Sequence, residues 1–257
     1  MLSIDLSGRH ALVLGVANHR SLAWAIAQQL HAAGATLCLT YAGERLQKGV
    51  EEMAATMPGT VTLPMDVTKD DEVVAVAKDL EARWGSVEML VHGVAYANKE
   101  DLEGSFLATS REGFRLALEV SAYSLLHVTH HLQPLMEKRG GSIVSLTYLA
   151  AERAVPSYNV MGSAKAVLEQ MTRQMAMELG PKNIRVNAVS AGPVNTLAAR
   201  GIRGFTDKLK EHASKAALQR NVTKEEVGTA GLFLLSDLAG GITGEVLYVD
   251  AGYRIMA

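Results

Sequence analysis

The feature that most constrains this fold is an alternation running from end to end. Short apolar runs are each followed by a longer segment whose apolar residues recur at helical spacing. The runs are residues 10–14, 36–41, 61–63, 89–92, 142–146, 185–189 and 246–249. Between them, Leu22, Ile26, Leu30 and Ala33 form one stripe three or four residues apart, and Val73, Ala77, Leu80 and Trp84 form another. Runs that are apolar on both sides belong to strands covered on both faces, and strands alternating with amphipathic helices build a parallel sheet. The expectation is an α/β protein with a doubly wound, seven-stranded parallel sheet in a single domain, residues 1–257.

Composition narrows the function classes. Hydrophobic residues make up 48% and charged residues 20% of the 257, enough apolar content for a substantial core. Twenty-five basic against 27 acidic residues leave a net charge of −2, so there is no electrostatic footprint for nucleic acid or an anionic membrane. The one cysteine, Cys38, lies between Leu37 and Leu39 and is expected as a buried strand thiol, consistent with a reducing compartment. Asp5 stands where a signal peptide needs a basic start, and the uncharged stretch 120–136 contains three histidines, Gln133 and Pro134, so neither export nor a membrane span is expected. These readings point to the cytoplasm.

Parallel strands with right-handed crossovers place ligands beyond the carboxyl ends of the strands. After the first run comes Gly15-Val16-Ala17-Asn18-His19-Arg20-Ser21-Leu22, a small-residue turn opening into a helix whose free N–H groups can hold a pyrophosphate. The three-glycine fingerprint is incomplete, with Ser21 where a glycine is usual, and the motif alone does not separate phosphate binding from turn chemistry. Its position at the head of a βα series favours a dinucleotide. The second run exits through Ala42 and Gly43 to Glu44 and Arg45 without an acid at the strand end. Glu44 disfavours a 2′-phosphate and Arg45 favours one; the balance is read as NADH, with NADPH open. Asp66 can accept from an adenine amino group, cap the helix starting near Lys69, or do both, and Val67 can pack on the ring. Residues 93–97 offer small side chains where cofactor and backbone approach closely.

A strong helical pattern runs from Tyr158 to about Leu179, with Met161, Ala164, Leu168, Met171 and Met175 as its buried stripe. Tyr158 and Lys165 are nearly two turns apart on it, so both side chains leave one face and can act on one ligand. A tyrosine proton donor benefits from a nearby ammonium, and an ammonium can also hold ribose hydroxyls.

The segment Tyr158-Asn159-Val160-Met161-Gly162-Ser163-Ala164-Lys165 resembles the divergent short-chain dehydrogenase/reductases that serve as bacterial enoyl-acyl-carrier-protein reductases. The resemblance extends over essentially the whole chain, through residues 15–22, 147–149, 190–193 and 242–245. Ordinary members of that superfamily carry Tyr-x-x-x-Lys, which would put the tyrosine at position 161, where this chain has Met161. A ketone accepts hydride at its carbonyl carbon, an enoyl thioester at C3, so the oxygen needing stabilisation lies farther off. Moving the tyrosine one helical turn, about 5 Å, matches that displacement.

The resemblance implies a Rossmann-like fold, NADH as cofactor, an acyl-carrier-protein-linked enoyl substrate in fatty acid synthesis and a homotetramer. It implies Tyr158, Lys165 and Tyr148 as catalytic residues. Candidate cofactor contacts are Gly15, Ser21, Leu22, Ala42, Asp66, Val67, Val94, Lys165, Val194, Asn195, Thr196, Leu197 and Ala198; candidate substrate contacts are Ala97, Tyr148 and Tyr158. A substrate loop and mobile lid are expected over about 193–215. Asn195 departs from the arginine common there, and Gly93 and Ala95 from the serine and glycine of some relatives.

Ser121 falls inside a stripe of Phe114, Leu118, Leu125, Val128 and Leu132. It either organises water near Lys165, as an asparagine does on this helix in ordinary short-chain reductases, or back-bonds to its own helix. His127, His130 and His131 project from the opposite face without an acidic companion, so a subunit contact is expected there rather than a metal. Two rival readings stand beside enoyl reduction: a ketone or alcohol dehydrogenase, and a catalytically silent dinucleotide sensor.

Overall fold

A computed structural model describes residues 4–194 and 205–256. Seven strands, β1 (His10–Leu14), β2 (Thr36–Tyr41), β3 (Val61–Pro64), β4 (Met89–His92), β5 (Gly141–Thr147), β6 (Ile184–Ala191) and β7 (Val246–Val249), form one parallel sheet in the order β3-β2-β1-β4-β5-β6-β7. All seven expected strands form, and β5 and β6 are longer than their apolar runs because polar Thr147 and Ser190 continue the ladder in register.

Alternation along each strand sorts the core into two layers. Ala11 and Val13 of β1, Leu37 and Leu39 of β2, and Met89 and Val91 of β4 pack on one face with α1 (Leu22–Ala32) and α2 (Glu44–Ala54). Leu12, Leu14, Cys38 and Leu90 pack on the other with α3 (Asp70–Trp84). Such double burial explains why the strands read as unbroken apolar runs. Cys38 is fully buried, and burial pushes its thiol up to about 12, so the residue is an inert part of the core.

Beyond β4 come the short α4 (Lys99–Glu103), α5 (Arg111–Leu118), a π-helical turn at Glu119–Tyr123 and α6 (Ser124–Met136). The π turn corrects the stripe expected from Phe114 to Leu132. An i→i+5 turn inserts one residue and rotates the helical phase, so Phe114 is exposed while Leu125, Val128 and Leu132 stay buried. The long α7 (Asn159–Leu179) lies against β5 and β6, and α8 (Phe205–Lys215) and α9 (Lys224–Leu235) precede β7. No helix among the described residues is long and apolar enough to cross a membrane.

Because β1 is flanked by β2 on one side and β4 on the other, the chain reverses direction across the sheet at that point. Strand ends diverge there, leaving the crevice in which ligands of open α/β sheets lie.

Candidate active site

At the crevice the backbones of Gly15 and Gly93 touch. Gly15 has φ +88, and a Cβ on it would overlap the Gly93 carbonyl oxygen. A Cβ on Gly93 would lie 2.8 Å from both the Ala23 Cβ and the Leu14 carbonyl oxygen. Neither position accepts a side chain, and the small-residue turn at 93 is therefore a packing requirement. Ser21 replaces the missing glycine with a hydroxyl that closes the loop: its Oγ accepts the N–H groups of Ala17 and Asn18 at 3.1 and 3.2 Å. The same residue is the N-cap of α1, so loop and helix terminus are held as one unit, and Leu22 opens the helix. This cradle fits a dinucleotide pyrophosphate, which needs close backbone approach and a helix N-terminus.

Farther along the crevice, Ala42 is exposed at the end of β2. Asp66 does not cap a helix. Its Oδ1 accepts the N–H and hydroxyl of Thr68, while α3 starts at Asp70 with Lys69 at its N-cap. The local turn wins because Thr68 lies two residues away, the spacing of an Asx turn. Val67 is mostly buried in the core, and Val94 packs partly against it.

Tyr148 follows the last residue of β5, and Tyr158 is the N-cap of α7 rather than its first turn. Their ring centroids are 5.0 Å apart. Residues on both sides of Tyr158 are left-handed, Ser157 at φ 58 and Asn159 at φ 35, and the Asn159 side chain donates to the Gly104 carbonyl at 2.9 Å. Local strain of this kind costs on the order of 1–3 kcal/mol per residue and collects at functional sites. Here it flanks the residue whose ring lies against that of Tyr148. Ala97, Leu102, Leu118 and Tyr158 pack around the buried Ala117, Val160, Met161 and Ala164, forming an apolar cluster that includes the Tyr158 ring.

Lys165 is 5% exposed and its Nζ donates to the Leu146 carbonyl at 2.7 Å. Burial holds its ammonium down at about 8, against the opposing pull of Glu169. Burial pushes the Tyr158 phenol above the ordinary tyrosine range, with Tyr148 adding to the rise. The sequence suggested that Lys165 lowers the tyrosine's acidity barrier directly. In the folded protein desolvation dominates instead, and Tyr158 remains a protonated donor at neutral pH.

Ser121 does not back-bond to its helix. Its fully buried Oγ accepts the Tyr96 N–H at 3.0 Å, donates to the Tyr96 carbonyl at 3.2 Å and lies 3.7 Å from the Met161 sulfur. It thus pins the loop after β4 against α7. The back-bond belongs to Ser124, whose Oγ donates to the Val120 carbonyl and meets His92 Nε2 at 2.8 Å. His127, expected without an acidic neighbour, has one: Asp70 of α3 at 3.3 Å. Among the described residues no group of three or more potential ligands could hold a metal.

Val194 lies partly buried against the core, while Asn195, Thr196, Leu197 and Ala198 fall outside the described residues. From the described part of the expected lid, His212 of α8 is buried and stacks on Tyr253 at 4.3 Å, beside Gly192 and Asp250. Sequence reasoning missed Glu169, buried one turn beyond Lys165. Its signal was a charged residue adjoining Leu168 on the buried stripe.

A doubly wound sheet with a glycine cradle at its switch point and a tyrosine–lysine pair on α7, after β5, defines a Rossmann-like reductase class. Within that class, the chain belongs to the enoyl-(acyl carrier protein) reductase family, whose profile it matches over residues 15–254. It is 49% identical over 256 residues to the NADH enoyl-acyl-carrier-protein reductase FabI of Nostoc sp., covering 98% of this chain and 99% of that one. It is 48% identical over 258 residues to the same-named protein of Bacillus subtilis, covering both in full. Among solved structures, the Bacillus cereus enoyl-acyl carrier protein reductase with NADP+ and an indole naphthyridinone superposes with a TM-score of 0.96 at 48% identity, covering 100% of both chains. The Anaplasma phagocytophilum reductase in complex with NAD gives 0.95 at 42%, covering 100% of this chain and 97% of that one.

Proposed function

We propose that this protein reduces the trans-2 double bond of enoyl thioesters carried on acyl carrier protein, with NADH, in cytoplasmic fatty acid elongation. The observation that carries the reading is Tyr158, held as a neutral phenol against Tyr148 with buried Lys165 on the same helix and Met161, not tyrosine, one turn on.

The Gly15–Gly93 contact and the Ser21-closed loop supply the cradle for the cofactor, with Leu22, Ala42, Asp66, Val67 and Val94 along its length. When bound, NADH supplies the hydride that adds to C3 of the substrate. Tyr158 donates a hydrogen bond to the thioester oxygen, stronger as enolate charge grows there, which is how a fixed donor lowers a barrier. Tyr148 closes the other side of that oxygen and excludes water. Lys165, anchored on Leu146, offers its remaining N–H donors to ribose hydroxyls. The enolate then takes a proton from solvent at C2, which completes the addition of one hydride and one proton across the double bond. The apolar cluster of Ala97, Leu102, Leu118 and Met161 receives the acyl chain, each buried CH₂ contributing about 0.8 kcal/mol.

Residues 193–215, including α8, act as the lid, and Asn195 to Ala198 complete the cofactor and acyl contacts. The face of the π turn and α6 that bears exposed Tyr123 and Leu126 beside the histidines packs against other subunits of a homotetramer.

The test is NADH oxidation with a crotonyl thioester. Tyr158→Phe is expected to lower kcat by about 10²-fold or more with little change in substrate KM. Lys165→Ala is expected to lower kcat and weaken NADH binding together. Full turnover by both variants, or faster consumption of a ketone than of any enoyl thioester, would overturn the assignment.

A further inference from the structure

Glu169 is a buried residue, 5% exposed, one helical turn beyond Lys165 on α7. Burying a carboxylate is costly, and an aliphatic side chain would pack this stripe with less penalty. What faces Glu169 is the end of β5. Thr147 Oγ1 donates to its Oε1 at 2.8 Å, and the preceding residue, Leu146, is the one whose carbonyl receives Lys165 Nζ at 2.7 Å. The residue after Thr147 is Tyr148, whose ring lies 5.0 Å from that of Tyr158. Three consecutive strand-end residues are thus tied to the site, two of them through polar groups of α7. A third, looser link, Ser145 to Thr172 at 3.5 Å, continues the seam away from the site.

We propose that Glu169 is a positioning residue of the reductase site: latched by Thr147, its carboxylate supplies the counter-charge one turn from Lys165 and fixes the strand end that carries both the lysine's acceptor and Tyr148. The proposal rests on reading Tyr158 and Lys165 as the working pair. The other charged or titratable groups facing the two residues come from each packed element. His92 at the end of β4 faces Lys165, while Glu152 after β5, Tyr248 of β7 and Arg173 of α7 face Glu169. His92 is held neutral by burial, Glu152 is paired with Arg254 at 3.1 Å, and Arg173 is exposed. Among the described residues, Glu169 is therefore the anion that acts on Lys165. Burial raises the Glu169 carboxyl, whereas the Thr147 hydroxyl favours its ionised form. Removing the negative charge lowers the lysine's affinity for its proton, so the alkaline limb of turnover moves to lower pH.

Two readouts test this: the pH profile of kcat, and the titration of Lys165 in cofactor-free protein by ¹³C NMR of ε-labelled lysine, assigned by the signal absent from Lys165→Ala. Glu169→Gln is expected to move both the titration and the alkaline limb down by about one unit. That makes it about tenfold slower than wild type on the alkaline side and near wild type on the acid side. Glu169→Asp, which restores the charge, is expected to return the limb most of the way. Should the glutamine variant not fold, Thr147→Val serves with the same two readouts, since a carboxyl without its hydroxyl donor is less ionised. A wild-type titration and limb in the variant used, whatever happens to its Tm, overturns the latch. Wild-type turnover by Lys165→Ala overturns instead the underlying reading of the lysine, so the two failures are distinguishable.

Discussion

Gly15 is the residue at which backbone geometry and the proposed cofactor cradle meet. Its φ of +88 suits only glycine, and a Cβ would drive into the carbonyl of Gly93. Gly15→Ala is therefore expected to weaken NADH binding at least about tenfold and to cost roughly 1–3 kcal/mol of stability, the usual range for a side chain forced into a disallowed region. Fluorescence titration with NADH and a melting curve measure the two effects, and wild-type affinity would show that β1 and β4 can separate freely. Tyr158 illustrates the opposite relation, in which a strained backbone is kept. Ser157 and Asn159 hold positive φ around it, and the Asn159 anchor on Gly104 supports that geometry from a different element. Its candidacy as a reactive residue came from the resemblance carried by residues 158–165, since the spacing to Lys165 alone only places both side chains on one helix face. Its protonation state was not legible in the sequence, because desolvation depends on what the rest of the chain packs around the ring.

At the scale of elements, α9 packs closely on α1, the helix that opens from the loop closed by Ser21. Gly228 and Gly231 bring it so close to α1 that added Cβ atoms would lie 2.8 Å from the Ala25 carbonyl and 2.7 Å from Ile26. The helix starts with a complete capping box: Thr223 Oγ1 accepts the Glu226 N–H at 3.1 Å and Glu226 accepts the Thr223 N–H at 2.9 Å. Arg220 pairs with the same carboxylate and holds it down at about 2. Thr223→Ala is expected to cost about 1 kcal/mol, read as a fall of about 2–4 °C in Tm, with kcat and KM unchanged. Altered kinetics would mean that α9 tunes the loop at α1 as well as stabilising it. The Thr223 and Glu226 spacing is visible in sequence, but the α1–α9 contact is not, since 200 or so residues of chain lie between the partners.

For the whole molecule, the buried His92 sets an acid limit. Burial holds its imidazole down at about 3 from 6.5, with the nearby Lys165 charge adding to the effect. In the unfolded chain it takes up a proton below about 6.5, whereas in the folded protein it does so only near 3. Its contribution is fully present above the unfolded value and is lost as pH falls through that window, at up to about 1.4 kcal/mol per unit. Denaturant unfolding at several pH values should show this slope in the wild type and a shallower one in His92→Gln. Equal slopes would assign acid sensitivity to other groups.

The sequence by itself determined the elements and their class. Burial on both sheet faces makes strands continuous apolar runs, one-sided burial gives helices their stripes, and both patterns are local. It also determined the Tyr158 and Lys165 separation, which a helix converts directly into distance. Only the tertiary structure decided the partners: Ser121 on the Tyr96 backbone, Asp70 beside His127, Gly15 against Gly93, and Thr147 on Glu169. These contacts depend on how elements distant in sequence cross, and on a π turn that rotates one helix by a residue, neither of which local periodicity encodes.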